Sequence, residues 1–143
     1  MKIKKIDRFS ERVYQAVLRL IPQLSSDADL SDKQYFKSIL SSENSHFFIA
    51  ELDNKRIAGM LTIGSYRIPT GIKVWIEDVV VDETQRGKGI GKELMLHAIK
   101  YSGSLGAKTV GLTSRPSRAS ANRLYQKMGF VRYETNVYKY NIQ

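Results

Sequence analysis

The segment Val79-Val80-Val81-Asp82-Glu83-Thr84-Gln85-Arg86-Gly87-Lys88-Gly89-Ile90-Gly91-Lys92 restricts what this chain can fold into more than any other stretch. A β-branched apolar run reads as a buried strand. It breaks into a polar turn, glycine then recurs at positions 87, 89 and 91, and an amphipathic helical pattern follows. Strand, glycine loop and helix in that order build an anion cradle. Glycine reaches backbone conformations that other residues resist and lets a ligand approach the amides closely. The first amides of the helix have no internal partners, and the helix dipole favours negative charge there. A phosphate-bearing ligand is the expected guest.

Register narrows the choice. A dinucleotide fingerprint G-x-G-x-x-G needs glycine at position 92, where Lys92 stands. A Walker loop ending at Gly91-Lys92 needs glycine at 86 and Ser or Thr at 93, and the chain has Arg86 and Glu93. The pattern that fits is R/Q-x-x-G-x-G/A, met by Arg86, Gly89 and Gly91. It resembles the acetyl-coenzyme A signature of the GNAT superfamily of N-acetyltransferases. Downstream, Ala121-Asn122-Arg123-Leu124-Tyr125-Gln126-Lys127-Met128-Gly129-Phe130 is similar to that family's A-N-x-L-Y-x-K-x-G-F segment. Upstream, Trp75-Ile76-Glu77-Asp78-Val79-Val80-Val81 resembles its central strand. The resemblance covers roughly residues 46 to 133, with the ends matching only in general layout.

With 143 residues, the chain is expected to form one domain, residues 1–143. Ile3 to Ile6 reads as a strand, and Val13, Ala16, Val17, Leu20, Ile21 and Leu24 predict an amphipathic helix over about residues 10 to 22. Ser31 or Asp32 can cap a second helix carrying Tyr35, Phe36, Ile39 and Leu40. Phe47 to Leu52 and Ile57 to Ile63 read as strands joined by a hairpin loop at 53–56. A turn at Pro69-Thr70-Gly71 leads into the strand Val74 to Val81. Ile90, Leu94, Ala98 and Tyr101 place one face of the helix after the loop against the sheet. Thr109 to Thr113 predicts a buried strand, Ser117 to Met128 a helix closed by Gly129, and Phe130 to Glu134 with Val137 to Tyr140 a terminal strand pair. The fold class is α/β, an α+β mixed sheet. The resemblance implies a central, mostly antiparallel sheet flanked by about four helices.

Composition excludes several classes of function. No apolar run approaches a membrane span, and Met1-Lys2-Ile3-Lys4-Lys5 lacks the apolar core of an export signal, so a cytoplasmic location without membrane association is expected. The absence of cysteine removes disulfides, thiolate metal sites and a cysteine acyl-enzyme, and His46 and His97 show no metal-ligand spacing. No metal is expected. The net charge of +9 invites a nucleic-acid reading, but the basic residues are scattered and carry no binding motif. Nucleic acid is not the expected partner.

Acetyl transfer to an amine requires a neutral amine, a polarised carbonyl and a departing thiolate. An alkylammonium with pKa about 10.4 is neutral in only about one molecule in two thousand at pH 7. A carboxylate, direct or through water, can take up its proton. Glu77 and Asp78 are adjacent, so regular strand alternation puts Trp75, Glu77 and Val79 on one face and Ile76, Asp78 and Val80 on the other. The resemblance implies Glu77 as base, with Asp78 the alternative; a surface ion pair is the plain structural reading of either.

The resemblance also implies that Tyr125 meets the sulfur of the coenzyme as acid or hydrogen-bond donor, and that Asn122 bonds the coenzyme. It implies that the backbone of Val79, Val80 and Val81 holds the pantetheine arm, and that amides of Arg86, Gly87, Lys88, Gly89, Ile90, Gly91 and Lys92 hold the pyrophosphate. Tyr66, Arg67 and Trp75 are candidates for an acceptor pocket and equally ordinary hairpin residues. The acceptor loops are expected over about residues 22 to 45 and 64 to 73.

The implied activity is direct transfer from acetyl-coenzyme A, as cosubstrate, to a primary amine. A small molecule such as an amino sugar is the first choice of acceptor, and a protein N-terminus or lysine the second. A non-catalytic acyl-coenzyme A sensor is the alternative of another class. A homodimer is among the assemblies that the resemblance allows.

Overall fold

The computed structural model describes all of residues 1–143. They group into two compact units, Met1–Thr113 and Ser114–Gln143. The first contains β1 (Lys2–Ile6), α1 (Glu11–Leu24), α2 (Lys33–Ser41), β2 (Ser45–Glu51), β3 (Ile57–Ile68), β4 (Gly71–Val81), a single 3₁₀ turn (Glu83–Gln85) and α3 (Ile90–Ser104). The second contains α4 (Ala119–Lys127). No helix is long and apolar enough to cross a membrane.

The strands form one antiparallel sheet in the order β1-β2-β3-β4, which leaves β4 at an edge. Helix α1 starts where Ser10 accepts a hydrogen bond from the Val13 amide, and α2 where Asp32 accepts one from the Tyr35 amide. Both are N-caps that satisfy an otherwise orphaned donor. Val13, Ala16, Val17 and Leu20 of α1 and Phe36 of α2 pack with Phe47, Ile49, Met60 and Val80 of the sheet in one core cluster. Burying a side chain such as Leu20, which has no exposed surface, stabilises the fold by about 1.5–3 kcal/mol. Helix α3 covers the opposite face through buried Ile90, Leu94 and Ala98. The sheet approaches it closely at Gly59, where a Cβ would lie 3.0 Å from Leu94 Cδ1.

Several boundaries differ from the expectation. Helix α1 continues past Pro22 to Leu24, since a proline near the end of a helix forfeits only one backbone bond there. The β3–β4 hairpin extends to a turn at Pro69 and Thr70, with Ile68 opposite Gly71, so residues 64–68 and 71–73 are strand rather than acceptor loop. Thr109 to Thr113 is not a buried strand. Only Gly111 pairs, as a parallel bridge to Trp75, donating to Val74 O at 3.0 Å and accepting from the Ile76 amide at 2.9 Å. Gly111 lies against the indole, where a Cβ would stand 3.0 Å from Trp75 Cζ3.

In the second unit, α4 ends as expected at Gly129, whose φ of +96° suits glycine. The terminal strand pair does not form. Residues 130–143 carry no regular structure, and Val131, Tyr133, Val137, Tyr138 and Tyr140 are exposed. Two short strands with no third strand or helix to cover one face are marginal in water.

Candidate active site

Strand β4 is irregular where the carboxylates sit. Met60 pairs with Val80 and Thr62 with Glu77, so two positions on β3 span three on β4 and Leu61 faces both Asp78 and Val79. Asp78 is the inserted residue, with φ +51°. A β-bulge of this kind bends its strand and re-aims the side chains that follow. The alternation expected from a regular strand is therefore wrong past Glu77. Residues paired across strands share a face, so Glu77 shares the face of Thr62, Met60 and Val80. Val79 and Val81 return to the face of Ile76, opposite Leu61 and Gly59. Glu77 and Asp78 are both exposed.

Partial burial pushes the Glu77 carboxyl above its ordinary value, and the Asp78 charge beside it adds to the rise. A carboxylate made more basic in this way is a better proton acceptor. A bulged, left-handed aspartate next to a perturbed glutamate is the kind of local strain and electrostatics that active sites concentrate.

Beyond β4 the loop is built for close approach. Gly87 has φ +77° and Gly89 φ +80°, and a Cβ built on either would meet nothing within 4 Å. Open space before both glycines leaves room for a ligand against the backbone. Gly89 is the N-cap of α3 and makes no side-chain cap hydrogen bond, so no side chain competes for the first amides at Ile90, Gly91 and Lys92. This arrangement fits a phosphate-bearing coenzyme. Two loop cations are partly committed elsewhere. Arg86 Nε donates to Val81 O at 3.2 Å, and Lys88 Nζ donates to Gln85 Oε1 at 3.0 Å. Their contribution is thus as much to the shape of the loop as to its charge.

Asp82, which joins β4 to this loop, carried no role in the sequence reading. Its side chain is almost fully buried and accepts from Arg19 and Arg56. Burial pushes its carboxyl up, but the hydrogen bonds from Arg56 and Thr84 and the charge of Arg19 outweigh burial and hold it well below the usual carboxylate range. The signal available in the sequence was an acidic residue directly after an apolar strand, with no hint of partners 63 and 26 positions away.

In the second unit, Tyr125 is buried on α4 with its ring centroid 5.9 Å from that of Phe130. Burial raises its phenol above the ordinary value, and Arg118 opposes the rise. Tyr125 therefore remains protonated, a donor, across the physiological range. Asn122 donates from Nδ2 to Arg115 O at 2.9 Å and to Arg118 O at 3.0 Å. Its amide nitrogen thus closes the turn that leads into α4, a role that sequence reasoning did not assign. The first unit brings Glu77, Asp78, Val79–Val81 and Arg86–Lys92 into one continuous strand-loop-helix segment, and the second holds Asn122 and Tyr125 one helical turn apart.

His46 and His97 lie apart from this segment in their contacts. His46 is buried, with Nε2 3.0 Å from Ser65 Oγ and Nδ1 3.0 Å from Tyr101 Oη. His97 meets the edge of Phe48, with ring centroids 5.0 Å apart. Both are packing residues.

Comparison with known proteins places the chain in a family. The sequence profile of the Acetyltransferase (GNAT) family matches residues 11–130. The uncharacterized N-acetyltransferase YycN of Bacillus subtilis (strain 168) is 29% identical over 118 residues, covering 80% of this chain and 74% of that protein. Streptothricin acetyltransferase of Streptomyces lavendulae is 40% identical over 58 residues, 41% of this chain and 31% of that protein. Among solved structures, the aminoglycoside acetyltransferase meta-AAC0020 from an uncultured soil metagenomic sample, in complex with sisomicin, superposes with a TM-score of 0.81. At 21% identity over 99% of this chain and 95% of that one, it shows the shared fold. The chain belongs to the acetyltransferase (GNAT) family and is an acetyl-coenzyme A-dependent N-acetyltransferase.

Proposed function

We propose that the protein transfers the acetyl group of acetyl-coenzyme A directly to a primary amine of a small molecule, an amino sugar or a related polyamine. The observation that carries the site assignment is the bulge at Asp78. It brings Val80 onto the face that Glu77 shares with Thr62, and sets a second carboxylate beside Glu77 five residues before the loop begins. Supporting the acceptor class are similarities to an aminoglycoside acetyltransferase and to a streptothricin acetyltransferase.

The backbone of Val79, Val80 and Val81 on β4 holds the pantetheine arm. The amides from Arg86 to Lys92 hold the pyrophosphate. Glu77 accepts the proton of the attacking amine, directly or through water, while the new C–N bond forms and the C–S bond breaks. Tyr125 donates a hydrogen bond to the departing sulfur. Its reference acidity makes full proton delivery uphill by about 2 kcal/mol, so hydrogen-bond support is the role assigned. No covalent enzyme intermediate is required. The chain acts as one domain over residues 1–143.

The test is thiol release from acetyl-coenzyme A with an aminoglycoside, a simple amino sugar and a peptide with a free N-terminus and lysine. Turnover with either sugar-based amine supports the proposal. Turnover confined to the peptide replaces it with protein acetylation, and coenzyme binding without release to any amine replaces it with a sensor.

A further inference from the structure

Asp82 occupies an unusual junction. It is the first residue after β4, and every polar group it has is engaged. Its amide donates to Ala58 O at 2.8 Å and its carbonyl accepts from the Gln85 amide at 2.8 Å. One carboxylate oxygen accepts from Thr84, from the amide at 3.1 Å and the hydroxyl at 2.9 Å. The other accepts from Arg19 of α1 and, at 2.8 Å, from Arg56 beside the β2–β3 hairpin. Arg19 is itself fixed to Ile57 O at 2.7 Å. The next residue is also tied to α1, as the Glu83 amide donates to Gln23 Oε1 at 2.8 Å. Downstream the picture reverses. Gly87 and Gly89 have left-handed backbones with no neighbours a Cβ would touch, so no side chain packs against that side of the loop.

We propose that Asp82 is a positioning residue for coenzyme binding, with Arg19, Arg56 and Thr84 anchoring the upstream end of the loop so that its glycine amides are already aimed when the pyrophosphate arrives. Ordering a loop on binding lowers affinity, and an anchor fixed beforehand removes that loss. The inference rests on the coenzyme reading of the same loop.

Charge gives the proposal a sign that can be tested. A carboxylate near a phosphate site repels the ligand, so if Asp82 acted only through its charge, Asp82→Asn would tighten coenzyme binding. Positioning predicts the reverse. Asp82→Asn should raise the KM and Kd for acetyl-coenzyme A about tenfold, the usual scale for losing a charge-assisted hydrogen bond. kcat at saturating coenzyme should stay within about threefold, because the anchor touches no reacting atom. Thr84→Val removes the hydroxyl that donates to Asp82 and accepts at 3.4 Å from Arg56 and Gln85, leaves every charge in place, and should raise KM by about threefold. It serves as the readout if Asp82→Asn does not fold.

Glu51→Gln is the control for a purely structural effect. Glu51 is an equally buried carboxylate held by Lys4 and Arg12, each at 2.7 Å, and none of those residues contacts the loop. It should lower Tm and leave KM unchanged. Tighter or unchanged binding in Asp82→Asn, or an unchanged KM in Thr84→Val, overturns the proposal. So does a rise in KM in Glu51→Gln equal to that in Asp82→Asn. If wild-type protein shows no affinity for acetyl-coenzyme A, the coenzyme reading itself fails, a result distinct from a variant that matches wild type.

Discussion

Glu77 and Val80, three positions apart on β4, lie on the same face of the sheet. A regular strand would separate them. The extra residue between them is Asp78, held at φ +51°, where an ordinary side chain costs about 1–2 kcal/mol and Asn or Asp is tolerated best. The chain accepts this strain at the point where a glutamate with a raised carboxyl stands beside a second carboxylate.

Asp78→Asn should therefore separate geometry from charge. Asparagine tolerates the left-handed backbone, so Tm should hold within about 2–4 °C. Removing the Asp78 charge takes away one of the two causes that raise the Glu77 carboxyl, so that group becomes more acidic. A base works only when ionised, so the acid limb of the kcat/KM profile should move to lower pH. Glu77→Gln should cost about 10²-fold in kcat/KM and abolish that limb. A limb at the same pH in Asp78→Asn, with full activity in Glu77→Gln, would remove the base role from this strand.

Gly89→Ala examines the cradle. The substitution forces a side chain to φ +80°, at about 1–2 kcal/mol, but the new methyl meets no protein atom. Its main consequence is thus in the space a phosphate would occupy, and KM for acetyl-coenzyme A should rise about tenfold or more. Gly106→Ala is matched for strain, at φ +90°, and touches only Ile72 Cδ1 at 3.4 Å. It should show a similar fall in Tm with KM unmoved. Equal KM changes in the two variants would mean that backbone strain alone is being measured.

Much of this layout was readable from local pattern. Asp32, one of the two caps expected for the second helix, does cap it, and the glycines at 87 and 89 adopt a left-handed backbone suited to glycine. What local pattern missed came from long-range pairing. The bulge at Asp78 exists only relative to the register of β3, and a one-residue insertion reverses every face assignment after it. The Asp82 anchor joins residues 63 positions apart. The segment 130–143 has strand-like composition, yet composition cannot supply the partner strand that a ladder needs.

Tyr125→Phe tests the proposed sulfur contact. Since burial raises the Tyr125 phenol above its ordinary 10.0, the wild-type profile should show no alkaline limb from this group below that pH. Loss of the hydroxyl should lower kcat by about tenfold or more while the KM for acetyl-coenzyme A stays within about threefold. The Tyr125–Phe130 ring contact survives the change, so Tm should move little. A variant that keeps full kcat would reduce Tyr125 to a packing residue.

Acid stability should report His46 before the ion-paired carboxylate of Glu51. Burial and the nearby Lys5 charge lower the imidazole below its ordinary 6.5, so the folded protein holds it neutral. One ring nitrogen then donates and the other accepts, between Ser65 Oγ and Tyr101 Oη. A group with a depressed folded pKa binds fewer protons in the folded state than in the unfolded one. Its stabilisation is complete above pH 6.5 and is lost as pH falls through the folded value. His97, lowered by burial and by Lys100, adds in the same direction. Glu51 acts later. Hydrogen bonds from Lys4 and then Arg12 lower Glu51 from 4.5 to about 2, so its contribution disappears only below pH 4.5. Tm should therefore begin to fall just below pH 6.5, and His46→Gln should flatten this first decline while leaving the steeper loss below pH 4.5 intact. An unchanged first decline in the variant would assign it to groups other than His46.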